Sequence, residues 1–118
     1  MSVRHQDELL LTESNYARLS QLKDGALLEL LDAADVVPDA QAPDDLVTMR
    51  GQVRVRHETS GQEQTLTMCW PEDVKPEEGR ISVLSPIGTA LLGRRAGAWV
   101  ALRLPGGQSQ RLRIEALL

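Results

Sequence analysis

Residues Gly79-Arg80-Ile81-Ser82-Val83-Leu84-Ser85-Pro86-Ile87-Gly88-Thr89-Ala90-Leu91-Leu92-Gly93 decide how this chain folds. Ile81 and Val83 alternate with polar Arg80 and Ser82, the period of a half-buried strand. Ser85 then stands where an N-cap belongs, and Pro86 follows at the first helical position, where its fixed φ suits the opening turn. Ile87, Ala90 and Leu91 make one apolar stripe at helical spacing, and Gly93 is placed to end the helix in the left-handed conformation. The stretch predicts a strand running directly into a short helix, and each local signal agrees with the next.

Downstream, Arg94-Arg95-Ala96-Gly97 turns the chain; Val100, Leu102 and Leu104 mark one strand, and Leu112, Ile114 and Ala116 another, with Pro105-Gly106-Gly107-Gln108 between them. Upstream, Val47, Met49, Val53 and Val55 alternate with Thr48, Arg50, Gln52, Arg54 and Arg56, with Gly51 read as a bulge. Thr59-Ser60-Gly61-Gln62 reads as a hairpin turn, and the return strand from Gln64 to Trp70 sets Leu66, Met68 and Trp70 against Thr65, Thr67 and Cys69. Hairpin-linked strands with one inserted helix imply an antiparallel sheet carrying that helix on one face, an α+β fold.

The first 45 residues have a different period. After Leu9-Leu10-Leu11, a brief strand or the lead-in to a helix, Thr12 caps a helix bearing Tyr16, Leu19 and Leu22 on one face. Lys23-Asp24-Gly25 turns the chain, and from Ala26 a second helix shows Leu27, Leu30, Leu31 and Ala34 opposite Glu29, Asp32 and Asp35. Two such helices make a short antiparallel helical hairpin. Pro38 and Pro43 bracket a polar connector, so the expected division is residues 1–45, hairpin and linker, and 46–118, the sheet domain.

Composition narrows the function. The chain has 118 residues and no Phe, so its core is aliphatic. A lone Cys69 leaves no intramolecular disulfide, and the opening residues lack a signal-peptide layout, which predicts a cytoplasmic protein. The net charge of −4 is unevenly spread. Residues 1–45 hold ten acids against three bases, and residues 46–118 hold ten bases against seven acids. His5 and His57 are far apart in sequence, and no glycine loop of phosphate-binding type precedes a helix. No catalytic grouping emerges, so neither an enzyme nor a cofactor or metal is expected.

The central stretch, with Leu46-Val47-Thr48-Met49, Trp70-Pro71-Glu72-Asp73 and Leu104-Pro105-Gly106-Gly107, resembles the carboxy-terminal domain of the bacterial GreA/GreB transcript-cleavage factors, and more closely their short Rnk branch, regulators of nucleoside diphosphate kinase. The resemblance implies an FKBP-like sheet domain that docks on RNA polymerase at the coiled-coil rim of its secondary channel. Carried over by position, the gripping loop is Leu84, Ser85, Pro86 and Ile87. Gre factors also send a long coiled coil down that channel, with two carboxylates at its tip to help hold Mg²⁺. Here the tip offers Lys23 and Asp24, one acid beside one base, and each arm has only about ten residues, roughly 15 Å of helix. The resemblance therefore implies competition with Gre-type factors for the polymerase without stimulated cleavage. Prolyl isomerisation, which the fold suggests, fails for want of an aromatic pocket. Two other readings stand beside it. One is action on nucleoside diphosphate kinase or another metabolic enzyme. The other is weak nonspecific nucleic-acid binding through a basic sheet face of Arg50, Arg54, Arg56, Arg103, Arg111 and Arg113, with Trp99 in the same register.

Overall fold

The structure is a computed structural model, and it describes residues 8–103 and 106–118. Among the described residues the fold is α+β, with a two-stranded and a five-stranded sheet and three α-helices. Leu104, Pro105 and His5, all used in the sequence reading, lie outside the described residues.

Strand β1 (Leu10–Thr12) hands the chain directly to helix α1 (Glu13–Leu19). Thr12 is the cap: its Oγ1 accepts the Asn15 N–H at 3.2 Å, and Glu13 lies in the first turn, where the helix dipole favours an acid. Lys23 turns the chain at φ +52°, and Asp24 caps helix α2 (Gly25–Ala33) by accepting the Leu27 N–H at 3.1 Å. A strand that the sequence reading did not anticipate follows, β2 (Asp35–Val37), paired in parallel with β1. The pairing is parallel because α1 and α2 together form the crossover that a parallel pair requires. The expected helical hairpin is thus two short helices carried on a β1–β2 frame, α1 against both strands and α2 against the later helix α3 (Pro86–Leu91).

The larger sheet comprises β3 (Gln52–His57), β4 (Glu63–Cys69), β5 (Arg80–Ser82), β6 (Trp99–Arg103) and β7 (Ser109–Leu117), ordered β5-β4-β3-β7-β6. It is not wholly antiparallel as expected: β5 joins β4 in parallel, with Thr67, Met68 and Cys69 opposite Arg80, Ile81 and Ser82. The 71–79 segment, which contains two 3-10 turns at Pro71–Asp73 and Pro76–Glu78, is long enough to carry the chain back beside Thr67, so that β5 pairs with the last three residues of β4. The expected bulge at Gly51 is also corrected. Gly51 closes a turn by donating to Thr48 O at 3.2 Å, and the register shift falls at Arg54/Val55 against β7.

One buried cluster joins Leu11, Leu19, Leu27 and Leu31 to Val53, Val55, Leu66, Met68, Leu91, Leu112 and Ile114, so the apolar core crosses residue 45. Leu10 N–H donates to Gly93 O at 2.9 Å, while Gly93 N–H and Arg94 O bond to Val47. Gly93 is left-handed (φ +83°), as the helix ending predicted. A Cβ there would also meet Leu10 O tightly at 3.0 Å and would push aside the end of the Leu9 side chain at 2.7 Å, but it is the left-handed backbone that calls for glycine. Arg95 reinforces the seam, holding Asp45 at 2.8 Å and Glu8 at 3.1 Å; the Asp45 hydrogen bond foremost raises its pKa and keeps it charged. Among the described residues no helix is long and apolar enough to cross a membrane.

Candidate partner-binding site

The β5–α3 junction is built from its own side chains. Ser85 N–H closes a turn onto Ser82 O at 3.0 Å. The Ser85 hydroxyl donates to the same carbonyl at 2.7 Å and accepts the Gly88 N–H at 3.1 Å, making it both turn clamp and helix cap. Ser82 Oγ accepts the Leu84 N–H at 3.0 Å, and the Thr89 hydroxyl lies within reach of both Val83 O (3.0 Å) and Ser85 O (2.8 Å). Pro86, which has no N–H to leave unsatisfied, is exposed at the apex, flanked by half-buried Leu84 and Ile87. The result is a hydrogen-bonded turn in which exposed Pro86 lies between Leu84 and Ile87, both half-buried and packed against the core.

The sequence reading missed why Gly88 is glycine. A Cβ at Gly88 would lie 2.1 Å from Ser82 O and 3.0 Å from Val83 Cα, so α3 presses its backbone against the turn that precedes it. Ser82 and Thr89 also went unread as parts of the site. Their polarity at helix-entry positions was the available signal, but only the fold shows which carbonyls they meet.

Lys23 and Asp24 occupy the turn between α1 and α2. The Asp24 carboxylate is engaged in capping, the role a turn residue was expected to have. α2, the longest helix among the described residues, has nine residues, roughly 14 Å.

The arginines divide. Arg54, Arg56, Arg111, Arg113 and Arg103 fall on β3, β7 and β6, three adjacent strands. Arg50, expected among them, does not join them: it sits in the Thr48–Gly51 turn at φ +68°, its N–H donating to Met68 O at 2.7 Å, because the strand begins only at Gln52. Nor is the sheet face simply basic. Arg56 bridges Glu63 and Glu115 at 2.6 Å each, Arg111 meets Glu58 at 3.0 Å, and Arg113 reaches Glu115 at 3.4 Å. Arg111 also stacks over Trp99, 4.9 Å from the ring centroid.

Alternation sets Cys69 on the face opposite Met68 and Trp70, which would turn it outward, yet it is buried at 4% exposure, its thiol donating to Ile81 O at 3.2 Å, because β5 pairs along that end of β4. Burial foremost raises its pKa, which leaves a poor nucleophile. Trp70 is equally enclosed and carries the Arg18 guanidinium 3.9 Å from its ring centroid, while Arg18 also pairs with Glu72 at 3.0 Å.

Comparison with known proteins follows the same lines. A family model described as "Transcription elongation factor, GreA/GreB, C-term" matches residues 42–117. The chain is 34% identical over 107 residues to the "Regulator of nucleoside diphosphate kinase" of Escherichia coli strain K12, covering 91% of this chain and 77% of that protein. It is 41% identical over 81 residues to transcription elongation factor GreA of Chloroflexus aurantiacus, covering 69% of this chain but 52% of the relative. A solved GreA/GreB structure from Nitrosomonas europaea superposes with a TM-score of 0.76 at 32% identity, covering 93% of this chain and 97% of that one. Gfh1 of Thermus thermophilus shares the fold at a TM-score of 0.54 and 20% identity.

Proposed function

Because this chain belongs to the GreA/GreB transcription elongation factor family, we propose that it binds RNA polymerase at the rim of the secondary channel and competes there with longer Gre-type factors. The contact is made by Leu84, Ser85, Pro86 and Ile87. The observation that carries this reading is the β5–α3 turn itself, where Ser85 is saturated internally and Pro86 is exposed between two half-buried apolar neighbours. A rigid turn loses little conformational entropy on docking.

The partner is occluded and not chemically assisted. A nine-residue helix reaches about 14 Å, and the tip carboxylate of Asp24 already accepts a backbone hydrogen bond. Mg²⁺ needs several hard oxygen ligands, which this tip does not supply. The paired arginines of the sheet face lend little to nonspecific nucleic-acid binding.

Retention on immobilised core polymerase tests the reading. The wild-type chain is retained and displaces a Gre factor, nascent transcripts are not shortened, and Pro86→Ala and Ser85→Ala are released several-fold more readily. Equal retention of both variants overturns the site; transcript shortening overturns the mechanism. A rate change in purified nucleoside diphosphate kinase, with polymerase absent, would instead favour the activity named for the Escherichia coli relative.

A further inference from the structure

We propose that the trough between α1 and α2, floored by Leu31 and flanked by Tyr16 and Leu28, binds a short amphipathic segment of a partner protein that carries Lys or Arg beside an apolar stripe. The trough has a volume of about 390 Å³, room for one or two large side chains. Tyr16 and Leu28 are 37% and 46% exposed, among the most exposed large apolar side chains of the described residues. Covering the Tyr16, Leu28 and Leu31 side chains of this depression, whose lining Ser20 completes, gains free energy.

Charge selects the occupant. Glu29 and Asp32 line the same trough, and among the described residues neither carboxylate makes an ion pair or a hydrogen bond. Arg18, the one cation of α1, is engaged by Trp70 and Glu72, and exposed Lys23 of the α1–α2 turn makes no ion pair with either acid. An unneutralised acidic rim repels nucleic acid and anionic lipid, and it repels the same face of a second copy. It attracts a cationic peptide, and helix-in-groove recognition then places apolar anchors between the rims. This surface is independent of the Ser85–Pro86 reading: it uses α1 and α2, and either surface can fail without the other.

The test titrates the ¹⁵N-labelled 118-residue chain with a synthetic helical peptide of Lys and Leu at amphipathic spacing. The expected result is amide shifts concentrated in residues 13–33, with binding at least tenfold weaker for Leu28→Ser. A Lys/Gln peptide of equal charge binds at least tenfold weaker than the Lys/Leu peptide, and the paired change Glu29→Gln with Asp32→Asn weakens binding about fivefold and flattens its salt dependence. Both sites are on the surface, and thermal melts of each variant check that the fold is intact; should Leu28→Ser unfold, Tyr16→Ser makes the same test. Shifts centred on Glu58, Glu63 or Glu115, or undiminished binding by the Leu28→Ser or Tyr16→Ser protein, overturn the proposal.

Discussion

Residues 46–118 and the α1–α2 region handle charge differently, while Glu8 and Asp45, at the two ends of the first region, are both held by Arg95. In the sheet region Glu58, Glu63, Glu72, Glu78 and Glu115 each sit within 4 Å of an arginine or lysine. In the α1–α2 region Glu13, Glu29, Asp32 and Asp35 have no such partner among the described residues, and Asp24 and Asp39 are engaged with hydrogen-bond donors of the chain itself. Adjacent strands bring side chains of neighbouring segments into register, so acids and bases find one another. Two short helices with few bases cannot do this. Five of the seven acids after residue 45 are thus paired, with Asp73 and Glu77 the exceptions, while the acids along α1 and α2 retain an attraction for an external cation.

The comparison has a limit, because both regions share one core, and the largest predicted effects probe it. Gly88→Ala drives a Cβ to 2.1 Å from Ser82 O, a clash with backbone that cannot swing aside. It should cost about 3 kcal/mol or more in urea unfolding. Leu27→Ala empties a site with 0% exposure and should cost about 2–5 kcal/mol. The more telling outcome is cooperativity: helical and sheet signals should melt together, and a separate early transition of the α1–α2 region would divide what the shared core joins. Ser85→Ala removes a cap and should cost about 1 kcal/mol, with the loss confined to residues around α3 in hydrogen exchange.

Smaller effects are expected from titration. Burial raises the Cys69 thiol above its ordinary pKa of 9.0, so the folded state holds that proton more tightly than the unfolded one. Its stabilisation is full below that ordinary value and is lost as pH rises through the folded pKa. Unfolding free energies between pH 8 and pH 10 (roughly, around the thiol range) should therefore fall more for wild type than for Cys69→Ser. Asp39 runs the other way. The Ser14 hydroxyl and N–H lower its pKa, so its contribution is present above the unfolded carboxylate range and disappears as pH falls through the lowered value. Asp39→Asn should flatten the acid limb of the profile slightly, and an unchanged limb would remove this contact from the account.

Much of this was legible without coordinates. Ser85, Pro86 and Gly93 fall where their backbone chemistry requires, as do the Thr12 cap and the turn role of Asp24. These are local demands, satisfied within four residues. What the pattern does not carry is nonlocal: β2, whose three residues carry little pattern of their own and become a strand only by pairing with β1; the parallel entry of β5 beside β4; and the burial of Cys69 alongside β5. Arg50 misled because apolar residues on both sides of its turn keep the same parity, imitating one continuous strand.

The sequence by itself determined the caps, the turns, the aliphatic core and the lopsided distribution of charge, because each follows from a residue's own conformational preference or solvation. Only the tertiary structure decided which charges are neutralised and which remain open to a partner, and that Gly88 must be glycine. Those outcomes depend on distances between segments far apart in the chain, or on how closely a helix backs onto its own entry turn, and no local pattern encodes a distance.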